Sequence, residues 1–235
     1  GYPDIFVLGK NSLNASDRQK VVVEIINRER LNNRQPEGRI VEVLGFKNEK
    51  GVDILSIIKK YTVSTVFPDD VLNEVSQLPD AITEEELKEE LKHRVDLRNE
   101  VIITIDGENT KDFDDAISIQ KTDDGCYLLG VHIADVTHYV KEGSPLDKEA
   151  LKRGTSIYLA DRVIPMLPEK LSNGLCSLNP KVDRFALSCT MKINSNGDVI
   201  DSKIYESVIK TAERMTYPDV EKLIERSDEE LTKQY

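Results

Sequence analysis

Residues 101–119 read V-I-I-T-I-D-G-E-N-T-K-D-F-D-D-A-I-S-I. Residues 101–105 are apolar and rich in β-branched side chains, which predicts a buried strand. Residues 116–119 have the same character and predict a second strand. The acidic segment between them therefore connects two strands and is expected at the end of a sheet.

The same reasoning extends outward in both directions. β-branched runs predict further strands at 4–8, 20–26, 39–44, 126–133, 185–193 and 199–208. Apolar spacing and capping residues predict helices at 53–61, after Thr83, at 145–153 and from Thr216 onward. Leu87, Leu91 and Val95 are expected to form one apolar stripe on the helix after Thr83. The first 45 residues hold three strands, too few to close a barrel, and predict the rear part of a small β domain.

The composition indicates a soluble globular protein, and the predicted strands and helices together indicate an α+β class. Of the 235 residues 39% are hydrophobic, and 32 basic residues against 43 acidic ones give a net charge of -11. That charge disfavours a simple basic nucleic-acid module but allows an enzyme with local patches of either sign. Three cysteines without a CxxC pair disfavour a disulfide scaffold and a zinc site, and fit a reducing, cytoplasmic setting. No apolar run reaches the length of a membrane span.

The acidic segment contains four closely spaced aspartates that are candidate metal ligands, namely Asp106, Asp112, Asp114 and Asp115. Crowded carboxylates repel one another, and a cation among them offsets that repulsion. Oxygen ligands without nearby cysteine or histidine favour Mg²⁺, with Mn²⁺ as a second choice. The alternative is a solvated acidic turn that binds no metal.

A calcium-binding helix-loop-helix site is the main competitor, and the spacing argues against it. In a loop that starts at Asp106, the sixth position is Lys111 instead of glycine. The twelfth position is Ile117 instead of glutamate. The segment therefore does not fit the standard calcium loop.

Several motifs in fixed order resemble the RNB family of exoribonucleases, which includes ribonuclease II and ribonuclease R. They lie at 104–117, 130–136, 155–168 and 171–178, and their order is more similar to ribonuclease R. The resemblance implies a partial cold-shock-type OB-fold barrel over 1–50, a helical connector over 51–95 and the first part of an RNB-type mixed α/β catalytic domain over 96–235.

The resemblance also implies an activity, which is processive 3′-to-5′ hydrolysis of single-stranded RNA with release of 5′-nucleoside monophosphates. Asp106, Asp112, Asp114 and Asp115 match the family's catalytic metal-site acids, and Asp114 is expected to be the least replaceable. Tyr158 matches the aromatic residue that stacks on the 3′-terminal nucleotide, although an ordinary core tyrosine is the alternative reading. Arg162 is a second candidate RNA-binding residue, as a phosphate contact. The family resemblance further suggests a monomer that does not bind membranes.

Other charged and histidine residues are assigned more weakly. Arg153, Lys170 and Arg184 are candidate phosphate contacts, and the basic residues between 18 and 39 form either a phosphate-contacting face or a solvated turn. His132 lies in an apolar strand pattern and is expected to be structural. His93 and His138 receive no catalytic role.

Two other functions remain as alternatives. A non-catalytic RNA-binding protein with the same fold would be expected to lack some of the four aspartates, and all four are present. A phosphohydrolase acting on DNA or nucleotides is disfavoured by the Tyr158 motif and the N-terminal β segment. The family's later arginine motif, a further acidic residue, an S1 domain and the front of the OB barrel have no counterpart here. We therefore expect the intact protein to be the exoribonuclease and these 235 residues to be inactive alone.

Overall fold

The computed structural model describes residues 4–27 and 35–234. Its strands are β1 (Phe6–Val7), β2 (Gln19–Asn27), β3 (Glu37–Phe46), β4 (Val95–Asp96), β5 (Ile102–Asp106), β6 (Asp115–Lys121), β7 (Tyr127–Ala134), β8 (Ile157–Tyr158), β9 (Val163–Ile164), β10 (Asp183–Ile193), β11 (Val199–Lys210) and β12 (Glu213–Thr216). Its α-helices are α1 (Val52–Lys60), α2 (Asp69–Ser76), α3 (Glu84–Glu90), α4 (Pro145–Arg153), α5 (Tyr217–Glu225) and α6 (Glu229–Gln234). A π-helical segment covers Lys170–Leu175.

The chain divides into two units, and the first contains residues up to Val66 together with the segment Ile157–Ile164. Its sheet has the order β1-β3-β2, with β2 and β3 antiparallel and β1 parallel to β3. Helix α1 follows β3 and buries Val52 and Ile58. Gly45 has a φ of +128° and lies where a side chain would meet Val52, so glycine suits this turn. Strands β8 and β9 form a short antiparallel hairpin in this unit.

The second unit contains a seven-stranded sheet in the order β12-β5-β6-β7-β10-β11-β4. Its five central strands are antiparallel neighbours, whereas the edge strands β12 and β4 pair in parallel with β5 and β11. Parallel pairing at the β12 edge places Thr216 opposite Asp106. The end of β5 is therefore paired with β12.

One face of this sheet is covered by α2, α4 and the π-helical segment. The core joins helix and sheet side chains, among them Val71, Leu146, Leu171, Ile102 and Val208, each at most 1% exposed. Burying these apolar side chains supplies most of the stabilisation of the unit.

Most predicted elements are confirmed. For the helix after Thr83, the predicted N-terminal cap is present, whereas the predicted apolar stripe is only partly correct. The capping box is present, since Thr83 Oγ1 accepts from the Glu86 amide and the Glu86 carboxylate accepts from the Thr83 amide. The predicted stripe is wrong at its end. The helix stops at Glu90, and Val95 lies in β4 with 40% of its surface exposed. Pairing with β11 determines the conformation of Val95.

No helix within 4–27 or 35–234 combines the length and apolar character that crossing a bilayer requires.

Candidate active site

The four aspartates lie at one end of the seven-stranded sheet. Strand β5 ends with Asp106 and β6 begins with Asp115, and the two strands pair only through Ile102–Ser118 and Ile103–Ile117. The residues between them form a loop beyond the sheet, here called the aspartate loop (107–114). The Ala134 amide at the end of β7 donates to the Asp114 carbonyl at 2.9 Å. The sheet therefore fixes both ends of the loop.

Phe113 anchors the middle of the aspartate loop in the core, where it is only 5% exposed. The Ser177 hydroxyl accepts from the Phe113 amide at 3.0 Å and donates to the Lys111 carbonyl at 3.0 Å. The Leu178 amide donates to the Phe113 carbonyl at 2.8 Å. With Phe113 turned into the core, the neighbouring Asp112 is half-buried and Asp114 is exposed.

A buried arginine holds the segment that carries Ser177. The Arg184 guanidinium donates to the carbonyls of Ser177 at 2.7 Å and Gly174 at 3.0 Å, and Arg184 is only 9% exposed. The Arg184 side chain is therefore bonded inside the protein, whereas the sequence had made it a candidate phosphate contact. The π-helix and the support from Ser177 were not predicted, since no sequence periodicity indicates them.

The carboxylates perturb one another. Desolvation, followed by repulsion from Asp112, Asp115 and Asp106, raises the pKa of Asp114 even though part of this side chain is exposed. Burial also raises the pKa of Asp106, and repulsion from Asp115 and Asp112 adds to the rise. The Thr104 side chain and, to a smaller extent, the positive charge of Arg214 oppose it. The four acids are therefore close enough to form one electrostatic cluster.

The donors in this cluster suit a hard divalent cation. All are carboxylate oxygens, and Oδ2 of Asp106 is buried without a hydrogen-bond partner among the described residues. Within 4–27 and 35–234, no three acidic, histidine or cysteine side chains converge as a closed ligand group. The structure thus shows clustered acids with an unsatisfied oxygen, but no assembled ligand set.

Tyr158 and Arg162 lie together on the β8–β9 hairpin, in the first unit. Tyr158 is paired with Val163 across the hairpin and its side chain is 64% exposed, unlike an ordinary core tyrosine. The Arg162 side chain is exposed and forms an ion pair with its neighbour Asp161 at 2.8 Å. Both side chains are therefore accessible on the hairpin.

His132 is a buried structural histidine, as predicted. It is 2% exposed, and its ring nitrogens lie 3.1 Å from Ser118 Oγ and 2.7 Å from Ser188 Oγ. Burial lowers its pKa to about 4, so the ring is neutral at physiological pH.

The other two histidines contact acids of α3. His138 Nε2 lies 2.9 Å from the Glu86 carboxylate, and His93 Nε2 lies 3.2 Å from Glu90. Arg94 joins Glu90 to Asp135 with contacts of 2.6 and 2.7 Å. These acidic residues therefore connect α3 to the end of β7.

The remaining basic candidates also have partners inside the protein. Arg153 stacks on Phe67, with 3.7 Å from the guanidinium carbon to the ring centroid, and its guanidinium bonds Glu149 at 3.0 Å. Lys170 donates to the Leu78 carbonyl at 2.6 Å. The basic segment between 18 and 39 is described only in part, since Arg28, Arg30 and Arg34 lie outside the described residues.

Comparison with known proteins identifies the family to which this fold and site belong. The RNB domain family matches residues 94–235, and the cold shock domain family matches residues 2–68. The RNB match covers more than half of the chain, and the chain belongs to the RNB domain family. The predicted fold class is confirmed, with a cold-shock OB-type module followed by a mixed α/β RNB domain.

Several relatives of this chain are ribonucleases R. The chain is 47% identical over 224 residues to ribonuclease R of Thermotoga maritima, a match covering 94% of this chain and 31% of the relative. It is 48% identical over 188 residues to ribonuclease R 1 of Lactococcus lactis, covering 80% of this chain and 22% of the relative. The chain thus matches only about a quarter to a third of these relatives.

Solved structures show the same fold. Mycoplasma genitalium RNase R in complex with double-stranded RNA superposes with a TM-score of 0.87 at 30% identity, over 97% of this chain and 40% of that one. A yeast pseudonuclease superposes with a TM-score of 0.71 at 22% identity, over 93% of this chain and 28% of that one. The second similarity concerns the fold alone.

Proposed function

We propose that this protein is a 3′-to-5′ exoribonuclease that hydrolyses single-stranded RNA processively and releases 5′-nucleoside monophosphates. The observation that carries the proposal is the cluster of four aspartates at the end of the sheet, in which desolvation and then mutual repulsion raise the pKa of Asp114. Membership of the RNB domain family and the ribonuclease R relatives support RNA as the substrate. The proposal includes a monomeric protein and a cytoplasmic location. Three free cysteines suit the reducing conditions of that compartment.

The aspartates would hold Mg²⁺, or Mn²⁺ in its place. Oxygen donors, mutual repulsion and the unpartnered Oδ2 of Asp106 all suit such a cation. When bound, the cation would polarise the scissile phosphate and lower the pKa of an attacking water. The protein's own contribution is positional. Ser177 and the buried Phe113 hold the loop that carries Asp112 and Asp114.

Tyr158 and Arg162 would bind the RNA. An exposed aromatic ring can stack on a nucleobase without selecting its sequence, which suits an enzyme that degrades many RNAs. Arg162 can exchange its exposed contact with Asp161 for a phosphate, because surface ion pairs contribute little to stability. The complexes of Mycoplasma genitalium RNase R with double-stranded RNA and with ribose-methylated single-stranded RNA support RNA binding as the role of this fold.

The test is a gel assay with 5′-labelled single-stranded RNA and Mg²⁺. Because the relatives are longer, the 235-residue chain is compared with a chimera completed by the remaining sequence of the Thermotoga maritima relative. We expect the chimera to produce a ladder that shortens from the 3′ end, and EDTA or Asp114→Asn to abolish it. Glu108→Gln, a charge-removing change in the same loop, is the matched control and should retain activity.

The outcomes separate the candidate functions. RNA binding without cleavage by the chimera would contradict the enzyme and favour a non-catalytic RNA-binding protein. The yeast pseudonuclease illustrates why the fold alone does not decide this question. Cleavage of DNA or mononucleotides in preference to RNA would favour a different phosphohydrolase. Tyr158→Phe should retain stacking and Tyr158→Ala should weaken RNA binding, by about 1–3 kcal/mol for one lost base stack.

A further inference from the structure

Arg214 connects the far edge of the sheet to the beginning of the aspartate loop. It lies in β12, opposite Thr104 of β5. One terminal nitrogen of its guanidinium donates to the carbonyls of Gly107 at 2.7 Å and Glu108 at 2.8 Å. These two carbonyls directly follow Asp106. A side chain that is distant in sequence therefore determines where the chain leaves the strand.

The same guanidinium contacts the other half of the loop. Its central carbon lies 5.3 Å from the centroid of the Phe113 ring, a cation–π distance. Phe113 is buried and lies between Asp112 and Asp114. Arg214 thus contacts both the entry turn and the central anchor of the aspartate loop.

The described hydrogen bonds of Arg214 are made with main-chain groups and not with carboxylates. Both bonds come from one terminal nitrogen of the guanidinium. Its Nε is buried without a hydrogen-bond partner in the described part of the chain. A direct ion pair would compete with a metal ion for carboxylate oxygens, whereas bonds to the main chain hold the loop without that competition.

We propose that Arg214 is a positioning residue of the metal site, which holds the aspartate loop so that its carboxylates can bind a divalent cation. The proposal rests on the proposed function, because it requires the aspartates to bind metal. Arg214 touches neither substrate nor metal in this role. It acts through Gly107, Glu108 and Phe113.

The test measures Mn²⁺ binding to the 235-residue chain by electron paramagnetic resonance of the free ion. Arg214→Met should weaken Mn²⁺ binding about 10–100-fold, the effect typical of residues that orient metal ligands. Arg214→Lys should have an intermediate effect, since an ammonium can bond a carbonyl but lacks the planar group over Phe113. Arg98→Met is the matched control. Arg98 is held by Asp96 and Asp183 in the same unit, away from the loop, and its loss should leave Mn²⁺ affinity within twofold of wild type.

Hydrogen exchange separates positioning from general loss of structure. In Arg214→Met, amides of residues 107–115 should exchange faster while those of β10 and β11 keep their protection, and Arg98→Met should not affect the loop. If Arg214→Met loses its folded circular dichroism spectrum, Arg214→Lys carries the test. Wild-type Mn²⁺ affinity in the folded variant would overturn the role of Arg214 alone. Failure of the wild-type chain to bind Mn²⁺ more tightly than Asp114→Asn would overturn the metal site itself, and this inference with it.

Discussion

Replacing Ser177 with alanine tests whether the aspartate loop is held by the buried hydroxyl. Ser177 is fully buried and its hydroxyl joins the Phe113 amide to the Lys111 carbonyl. Ser177→Ala leaves the buried Phe113 amide without a partner, at a cost of about 1–3 kcal/mol for an unsatisfied buried group. Lys111 is exposed, so water can replace part of its lost bond. We therefore expect a total loss of about 2–3 kcal/mol in the free energy of unfolding.

The assay is urea unfolding followed by circular dichroism at 222 nm, since the chain has no tryptophan to report by fluorescence. Ser172→Ala is the matched control in the neighbouring π-helical segment. The Ser172 hydroxyl is buried without a hydrogen-bond partner in the described residues, so its removal should leave the free energy of unfolding unchanged or raise it, by up to about 1–3 kcal/mol. Equal effects of the two substitutions, or a loss below about 0.5 kcal/mol for Ser177→Ala, would refute the reasoning.

Three further predictions are checked by the same unfolding assay. Burial lowers the pKa of His132 from 6.5 to about 4, so the unfolded chain binds protons more readily in that window. The His132 contribution should therefore fall by about 2 kcal/mol between pH 6.5 and pH 5, and an unchanged pH slope in His132→Gln would contradict this. Gly130→Ala should cost about 1–3 kcal/mol, because a Cβ there would clash with Ser118 and His132, whereas Gly9→Ala has open space and serves as the control. Thr83→Ala should cost about 1 kcal/mol by removing the cap of α3, and a neutral result would show that tertiary packing alone holds the helix.

The pH prediction depends on His132 staying neutral in the folded chain at pH values where it is protonated in the unfolded chain. Well above pH 6.5 the ring is neutral in both folded and unfolded chains, so His132 contributes no pH dependence there. As the pH falls, protonation becomes favourable first in the unfolded chain, and the folded state loses relative stability. Below about pH 4 both states are protonated and the contribution levels off. The acidic cluster titrates as well, so the comparison with His132→Gln isolates the histidine.

Local sequence predicted the elements because their signals are local. The apolar, β-branched run at residues 101–105 predicted β5, and the hydroxyl and carboxylate spaced at Thr83 and Glu86 predicted the cap of α3. The four aspartates could also be recognised as candidates, since close spacing in sequence brings like charges together in any fold. Their expected roles as metal ligands and catalytic groups remain predictions.

Tertiary structure decided how the loop is supported. Ser177 and Arg214 lie 64 and 107 residues away from the loop residues they bond, Phe113 and Gly107. No local pattern indicates these partners, because hydrogen bonds between distant segments depend on strand order and on the parallel pairing of β12 with β5. The sequence also could not show that Arg184 is buried. This candidate phosphate contact instead donates to the Ser177 carbonyl inside the protein. The sequence by itself determined which acids are present and where the strands run. Only the folded chain determined which distant side chains hold those acids, because packing selects partners across long separations in sequence.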